Sequence, residues 1–348
     1  MVSFKNYIQK QKIYFNQLLK KNKIITSIYL IIKFRISILK TKIYLVKLNI
    51  RKKDLPINLD LKNYFKFPEF DSRITNPSIT FNDNKIFGAA RISNANYEEF
   101  ADHAGRPVQL YKKQGHPFLN GIVKFSTDIF GNVSNFEVVH KLSKIPNYED
   151  PRIFIFKRKI FLIMSYTYNS PEKMGIWQSN LAVGDINSEN IQILTSPEKR
   201  NIEKNWVPIE DNDNLRFLYS SNPISEIELQ IKTGETKFTK TQLNSKIYLH
   251  NRTQVIRTNH PSIPYLRIAS AKFAHRKVGY IPFHYFEILS EKLEPIKISR
   301  PFIFTAIQFE LCQGLTLDGS TLILSWTEKE KVNMIGAISI DSILKLFK

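Results

Sequence analysis

The sequence contains very little cysteine and glycine. Cys312 is the single cysteine among 348 residues, which excludes an intramolecular disulfide framework and any zinc or iron–sulfur site built from several cysteines. A lone cysteine is typical of a protein from a reducing compartment, so we expect a cytoplasmic protein. Glycine is limited to 12 residues. No glycine-rich phosphate loop, nucleophile elbow or zinc-protease motif occurs.

Acidic residues are absent from the start of the chain, and this absence concentrates the positive charge there. Residues 1–53 contain fourteen Lys or Arg and no Asp or Glu, which leaves only +6 of the net charge of +20 for the other 295 residues. The basic segment has no recognisable nucleic-acid-binding motif, and the rest of the chain is nearly balanced in charge. A nucleic-acid partner is therefore not expected.

The basic segment also lacks an uncharged apolar run long enough to span a membrane. Five Lys or Arg interrupt its most apolar part, residues 24–50, and each costs roughly 2.5 to 3.5 kcal/mol to insert. A signal peptide fits poorly, because no small-residue cleavage site follows the apolar run. We expect residues 1–53 to form a basic, helical amphipathic arm that attaches the protein peripherally to an anionic membrane surface. The alternative is an arm that packs on its own domain or on a partner subunit.

From residue 54 onward the chain reads as short strands joined by hairpin turns. Long amphipathic helical periodicity is absent, and turn signals occur at 82–84, 131–132, 157–159 and 318–319. This pattern predicts an all-β sandwich, barrel or propeller. Five propeller blades would have about 59 residues each, enough for four strands and an insertion. The predicted strands are 85–92, 121–125, 152–156, 160–168, 215–219, 227–232, 265–270, 280–289, 301–311, 321–326 and 334–340.

Polar motifs recur near the starts of these strands, where a propeller would direct them toward its central funnel. Such a position suits ligand binding, because strand ends and loops on a rigid scaffold carry most functional side chains. The motifs are Asn76-Pro77-Ser78 with Arg91, Tyr148-Glu149-Asp150-Pro151-Arg152, Glu203-Lys204-Asn205-Trp206-Val207-Pro208 with Tyr219-Ser220-Ser221-Asn222-Pro223, and Gln308-Phe309-Glu310-Leu311-Cys312-Gln313-Gly314-Leu315.

The second motif carries the most chemical information. Pro151 predicts an extended conformation for Asp150, and Arg152 can keep that carboxylate ionised or share a substrate oxygen with it. Glycosyl chemistry needs a carboxyl group that exchanges a proton with the bridging oxygen, and cations near a departing phosphate. Both are present, although a strand-entry turn with a local salt bridge would look the same.

In this order, the four motifs resemble the five-bladed β-propeller superfamily of β-mannoside phosphorylases, β-mannosidases and β-mannosyltransferases. The resemblance spans about residues 76–340 and implies a five-bladed catalytic propeller over residues 54–348. In that family an acidic residue of a Glu-Asp-Pro-Arg segment is the catalytic acid, which corresponds to Asp150. One departure concerns 220–223, where the phosphorylases carry a His-Arg pair and this chain has Ser220-Ser221-Asn222-Pro223, which counts against phosphorolysis.

The resemblance also implies a set of substrate contacts around Asp150. Arg152 and Lys204 match cationic contacts to sugar or phosphate, and Asn76 with Arg91 match sugar-binding positions. No metal or cofactor is expected, because Lys and Arg can stabilise a phosphate leaving group. The expected substrate-binding residues are Asn76, Arg91, Glu149, Arg152, Lys204, Asn205 and Glu310.

We therefore expect an inverting glycosyltransferase of surface-glycan synthesis that forms a β-mannosidic or similar linkage. Asp150 would act as general base toward a glycan acceptor, and the donor would be a sugar phosphate or a nucleotide sugar. One alternative is a β-mannoside phosphorylase or hydrolase with Asp150 as general acid. A hydrolase would need a second carboxylate roughly 6.5 to 9.5 Å away, for which Glu203 and Glu310 are candidates. The other alternative is a non-catalytic propeller that binds glycan.

Overall fold

The computed structural model describes most of the chain after residue 72. The chain divides into two units, residues 1–46 and 47–348, and the expected membrane-binding arm lies almost wholly outside the described residues. Within the described part, no helix has the length and apolar character needed to cross a membrane. The described residues are 46–48, 51–54, 73–93, 120–139, 148–169, 177–187, 191–198, 203–210, 214–221, 224–230, 232–242, 249–275, 279–305, 309–329 and 332–347.

Antiparallel β-strands make up most of the described second unit. A short helix, α1 (Ile340–Leu344), and a 3-10 turn follow the last strand. The strands are β1 (Val46–Lys47), β2 (Arg51–Asp54), β3 (Arg73–Asn82), β4 (Lys85–Ser93), β5 (Asn120–Thr127), β6 (Val133–Val138), β7 (Tyr148–Phe156), β8 (Lys159–Asn169), β9 (Trp177–Asp185), β10 (Ile191–Ile193), β11 (Val207–Ile209), β12 (Arg216–Ser221), β13 (Ile224–Gln230), β14 (Glu235–Gln242), β15 (His250–Asn251), β16 (Ile256–His260), β17 (Ile263–His275), β18 (Gly279–Leu289), β19 (Pro295–Ile298), β20 (Phe302–Ile303), β21 (Glu310–Asp318), β22 (Thr321–Glu328) and β23 (Val332–Ser339).

These strands form five sheets arranged as the blades of a propeller. Blades one, two and three contain β3–β6, β7–β10 and β11–β14, blade four is built on β15–β20, and blade five contains β21–β23 with β2. The innermost strand of each blade packs against its neighbours, β3 against β7 and β21, and β16 against β21, so that the ring closes. The predicted all-β fold is therefore confirmed as a five-bladed propeller.

Tight turns join the first two strands of blades one, two and five, at positions where the sequence predicted turns. Asp83 and Asn84 join β3 to β4, and Lys157 and Arg158 join β7 to β8, with positive φ angles of 49°, 60°, 48° and 61°. Two consecutive positive φ angles define a type I′ turn, whose twist matches that of the paired strands. Gly319, with φ of +57°, turns β21 into β22.

One predicted strand, 301–311, is wrong as a single element. Strand β20 ends at Ile303 and β21 begins at Glu310. The Glu310 carboxylate accepts hydrogen bonds from the amides of Phe304 and Thr305, at 2.7 and 2.8 Å. A buried backbone amide that leaves a sheet needs a new acceptor, and a side chain supplies it here.

Blade five takes its outer strand from the other end of the unit. Strand β2 pairs antiparallel with β23, with Arg51 opposite Ala337 and Asp54 opposite Met334. Residues 51–53, which the sequence analysis assigned to the arm, therefore lie in this blade. The shared blade joins the two ends of the ring.

The apolar core fills the seams between blades. Ile79 of blade one packs in one cluster with Ile323 of blade five. At the seam between blades two and three, the rings of Phe154 and Phe217 meet edge to face, with centroids 5.9 Å apart. The blades bury their apolar faces against each other at these seams. Polar residues lie instead at the starts of the innermost strands.

Candidate active site

Three residues with left-handed backbones mark the entries to the innermost strands of blades one, two and three. The φ angle is +58° at Asn76, +52° at Asp150 and +64° at Asn205. Asn and Asp adopt this region more readily than other residues with side chains, because their short polar groups bond locally. A group of such residues at one site is typical of function.

The extended conformation predicted for Asp150 is wrong. The pairing of β7 with β8 changes register between Glu149 and Arg152, so Asp150 occupies a β-bulge. A bulge re-aims its side chain relative to a regular strand. Strand β3 has the same irregularity around Asn76, and Nδ2 of Asn76 donates a hydrogen bond of 2.9 Å to Oδ1 of Asp150.

Arg152 connects blades two, three and four close to this carboxylate. Its side chain is 1% exposed. Nε donates to the carbonyl oxygen of Arg252 at 3.0 Å, and Nη2 donates to Oδ1 of Asn205 at 3.3 Å. Nη1 lies 3.5 Å from the carbonyl oxygen of Asp150. The guanidinium is therefore held in place by backbone and amide oxygens.

Two further predicted cations lie near Asp150. Nη1 of Arg91, on β4, is 3.4 Å from Oε2 of Glu149, so this arginine is paired with a carboxylate. Lys204, next to Asn205, is exposed. The structure therefore brings together the predicted catalytic residue Asp150 and six of its seven predicted substrate contacts: Asn76, Arg91, Glu149, Arg152, Lys204 and Asn205.

These cations determine the charge state of Asp150. Burial acts to raise the pKa of Asp150, but the positive charges of Arg91, Arg152 and Lys204 and the hydrogen bond from Asn76 outweigh it and hold the pKa below its usual value. The carboxyl group is therefore ionised near neutral pH. Burial lowers the pKa of Arg152, the negative charge of Asp150 partly opposes this, and the result is a pKa of about 10. This guanidinium therefore keeps its charge near neutral pH.

The contacts described for Glu310 and Glu203 lie with other groups of the protein. Glu310 is fully buried and accepts the two backbone amides that follow β20. Glu203 is 3% exposed and accepts hydrogen bonds from Nε1 of Trp206 at 3.0 Å and the hydroxyl of Tyr219 at 2.9 Å. Glu310 therefore bonds to the chain that links blade four to blade five, and Glu203 bonds to side chains around the start of blade three.

Blade four contributes residues that the sequence analysis missed. Nδ2 of Asn251 donates to the carbonyl oxygens of Asn205 and Leu218, at 3.1 and 3.2 Å, and Arg252 supplies the carbonyl that holds Arg152. The available sequence signal was a run of four polar residues, 251–254, which the structure buries at the entry to a strand. Neither Asn251 nor Arg252 stood out by residue type alone.

Chemically, the site combines the ionised carboxylate of Asp150 with several cations around it. Among the described residues, no group of three or more His, Cys, Asp or Glu side chains is arranged to hold a metal ion. Such a site can take a proton from a hydroxyl group and stabilise negative charge that develops on a phosphate.

No protein-family model matches the chain, and no curated protein matches it in sequence. Solved structures do match its fold. The β-1,2-mannobiose phosphorylase of Listeria innocua, in complex with β-1,2-mannobiose, is 12% identical over 86% of this chain and 99% of that chain, with a TM-score of 0.56. A GDP-Man-dependent mannosyltransferase from Leishmania mexicana is 9% identical over 89% and 94%, with a TM-score of 0.55. A putative glycosidase from Bacteroides thetaiotaomicron is 10% identical over 78% and 88%, with a TM-score of 0.53.

Likeness at such low identity establishes architecture, and the coverage shows that it extends over nearly the whole propeller. The matched proteins include a phosphorylase, a transferase and a glycosidase, so the fold does not distinguish between these reactions. The chain therefore has the five-bladed β-propeller fold of the mannoside phosphorylase and mannosyltransferase structures.

Proposed function

We propose that the protein is a carbohydrate-active enzyme, and that it is an inverting glycosyltransferase forming a β-mannosidic or similar linkage. The observation that carries the proposal is the position of Asp150, hydrogen-bonded to Asn76 and surrounded by the charges of Arg91, Arg152 and Lys204. The donor is a sugar phosphate or a nucleotide sugar, and the acceptor is a glycan hydroxyl. The low identities mean that the matched structures support the fold, while the site supports the chemistry.

The charge state of Asp150 favours the direction of transfer. A general base must be ionised before the reaction, whereas a general acid must be protonated. Because three cations hold the free carboxylate ionised, it is ready to accept a proton. A bound phosphate would offset those cations and raise the pKa of Asp150, which makes the carboxylate a stronger base when the donor is present.

In the proposed step, the acceptor oxygen attacks the anomeric carbon from the face opposite the phosphate. The carbon–oxygen bond to phosphate breaks, and the phosphate leaves with the bonding electron pair. The acceptor proton goes to Asp150, directly or through a neighbouring sugar hydroxyl. Arg152 and Lys204 stabilise the charge on the departing phosphate, and Asn76 fixes the orientation of the base.

The geometry gives less support to hydrolysis. An inverting hydrolase needs a second carboxylate to activate water, about 6.5 to 9.5 Å from the first. The two candidates from the sequence, Glu203 and Glu310, are buried and already accept hydrogen bonds from neighbouring groups of the protein. A carboxylate that is buried and bonded in this way is poorly placed to activate water.

Product analysis tests the proposed function against its alternatives. The protein would be incubated with mannose 1-phosphate or GDP-mannose and a β-mannoside acceptor, with and without inorganic phosphate. We expect an extended β-mannoside and released phosphate or nucleoside diphosphate, without a need for added phosphate. Breakdown of the acceptor that requires phosphate would indicate a phosphorylase, and breakdown in water alone a hydrolase. Glycan binding without turnover of any donor would indicate a binding propeller.

A further inference from the structure

Arg252 is a buried cation beside the candidate active site that the proposed function leaves without a role. It lies between β15 and β16 in blade four and is 6% exposed. The next residue, Thr253, donates its amide to the carbonyl of Ile268 at 3.2 Å, and its hydroxyl accepts the Ile268 amide at 2.9 Å. These bonds fix the segment on β17.

The same segment is also fixed to blade three. The amide of Val255 donates to the carbonyl of Pro208 at 2.9 Å, and Asn251 donates to the carbonyl of Asn205. Between these two anchors, the carbonyl of Arg252 accepts the hydrogen bond from Arg152. The backbone of Arg252 is thus held next to Arg152, the cation that neighbours Asp150.

The side chain of Arg252 carries a charge that its surroundings do not neutralise. Nε donates to Oγ of Ser270 at 2.6 Å. Among the described residues, no carboxylate forms an ion pair with it, and its terminal nitrogens Nη1 and Nη2 have no hydrogen-bond partner. Burial and repulsion by Arg152 lower its pKa to about 10, against the attraction of Asp150, so the guanidinium remains charged near neutral pH.

The titratable neighbours on blades four and five do not supply the missing negative charge. Burial, reinforced by the charge of Arg252, lowers the pKa of His284 to about 3, so the imidazole is neutral. Burial raises the pKa of the Cys312 thiol above its usual value, and that group is neutral as well. An uncompensated buried cation is costly to a folded protein, which suggests that it serves a ligand.

The charges at the site can be counted from these contacts. Arg91 is offset by Glu149, and Asp150 offsets one of the remaining cations. Two positive charges are then left over from the set Arg152, Lys204 and Arg252. A ligand with two negative charges would balance them.

We propose that Arg252 is a further ligand-binding residue, and that the site takes a group with two negative charges, as in a sugar 1-phosphate or a nucleoside diphosphate sugar. This inference rests on the proposed function, because it assigns the donor phosphate to the same site. Arg252 contacts the phosphate oxygens through Nη1 and Nη2, while Ser270 and the anchored backbone hold the guanidinium in position.

Binding of inorganic phosphate to the full-length protein tests the role of Arg252. Calorimetry at constant ionic strength would compare the wild type with Arg252→Gln, and with Arg257→Gln as a control. Arg257 lies in the same blade and forms an exposed ion pair with Glu291, with side-chain exposures of 62% and 61%. We expect Arg252→Gln to weaken phosphate binding by about tenfold to a hundredfold, as for loss of a charge-assisted hydrogen bond, and the control to bind normally. Equal affinity in both variants would overturn the inference.

A second measurement needs no variant and therefore applies even if Arg252→Gln does not fold. At pH 8 the wild type would be titrated with inorganic phosphate, which is a dianion, and with dimethyl phosphate, which is a monoanion. We expect the dianion to bind about tenfold tighter or more, given one additional charged contact. Equal affinity for the two would contradict a site built for two negative charges.

Titrations with GDP and mannose 1-phosphate identify the source of the phosphate group. Tighter binding of GDP to the wild type would assign the site to a nucleotide sugar, and tighter binding of mannose 1-phosphate to a sugar phosphate.

Failure of this inference can be distinguished from failure of the proposed function. Phosphate binding that depends on Arg252 in a protein without turnover would refute only the proposed function, while turnover with normal phosphate binding by Arg252→Gln would refute only this inference.

Discussion

Asn76 of blade one and Asp150 of blade two are joined side chain to side chain across a seam of the propeller, with Nδ2 of Asn76 2.9 Å from Oδ1 of Asp150. Both residues have left-handed backbones, and each lies where its strand changes register against the next. The two bulges point the side chains at each other. The position of the carboxylate therefore depends on two blades.

Replacing Asp150 with Asn should remove the general base and retain the fold, since Asn also adopts left-handed backbones. We expect kcat for glycosyl transfer to fall by about a hundredfold to ten-thousandfold. Steady-state kinetics with the donor identified by product analysis would measure the loss.

Asp83→Asn is the matched control. Asp83 also has a left-handed backbone, with φ of +49°, but lies in an exposed hairpin turn. Its turnover should equal that of the wild type. Unchanged turnover in Asp150→Asn would remove Asp150 from the mechanism.

The pH dependence of Arg91→Gln should reveal whether Asp150 acts as base or acid. Loss of this cation raises the pKa of Asp150, which Arg91 now helps to lower. A base is active only when ionised, so the acidic limb of the kcat/KM profile should move to higher pH.

A general acid would respond to the same change in the opposite part of the profile. A general acid is active only when protonated, so a higher pKa would move the alkaline limb of the kcat/KM profile to higher pH. Movement of the alkaline limb would therefore favour a hydrolase or phosphorylase. Arg257→Gln, in an exposed ion pair, should leave both limbs in place.

Replacing Glu203 with Gln should affect stability more than turnover. The Glu203 carboxylate accepts hydrogen bonds from Trp206 and Tyr219 inside blade three. Loss of its charge should lower the free energy of unfolding by about 1.5 to 3 kcal/mol, measured by urea denaturation, and leave kcat unchanged. Glu235→Gln, at an exposed position, is the control. A large fall in kcat at unchanged stability would restore Glu203 as a water-activating base.

The ion pair between Arg267 and Glu287 should be important for stability, because both side chains are 1% exposed. Nε of Arg267 lies 2.6 Å from the Glu287 carboxylate, and Nη1 donates to Oδ1 of Asn251. Arg267→Met should cost about 3 to 5 kcal/mol of unfolding free energy, because it leaves a buried carboxylate unpaired.

The exposed pair of Arg257 and Glu291 provides the comparison in the same blade. Arg257→Met should cost only about 0.2 to 1 kcal/mol. Similar costs for the two variants would show that burial does not control the strength of these pairs.

The basic arm remains a prediction, and it can be tested separately from catalysis. Deleting residues 1–45 should release the protein from anionic vesicles in a sedimentation assay and leave activity on a soluble acceptor intact. The deletion should end before residue 51, because β2 belongs to blade five. Equal vesicle binding with and without these residues would refute a membrane role for the arm.

The sequence predicted the fold and much of the candidate site because both depend on local patterns. Strand β4 and the turn before it follow from a short run rich in apolar residues and from an Asn-Asp-Asn turn signal. Strand β3 was not predicted, and it contains Pro77, which is unusual inside a sheet. A bulge around Asn76 accommodates it.

Other features depend on contacts between distant parts of the chain. Arg252 lies far from Arg152 in sequence, and only the folded ring shows that the carbonyl of one holds the guanidinium of the other. The left-handed backbone of Asp150 likewise follows from a bulge, whereas the residue before a proline is normally extended. The hydrogen bonds that Glu310, a predicted substrate contact, accepts from the backbone after β20 likewise could not be read from the sequence.

The pairing of β2 with β23 also has a consequence for how the protein folds. Four complete blades separate these two strands along the chain. Because the paired residues are so far apart in sequence, the pairing forms slowly. During synthesis β2 must wait for β23 to emerge, with an unpaired edge exposed to aggregation in the meantime. We therefore expect ring closure, rather than formation of any single blade, to limit the rate of folding.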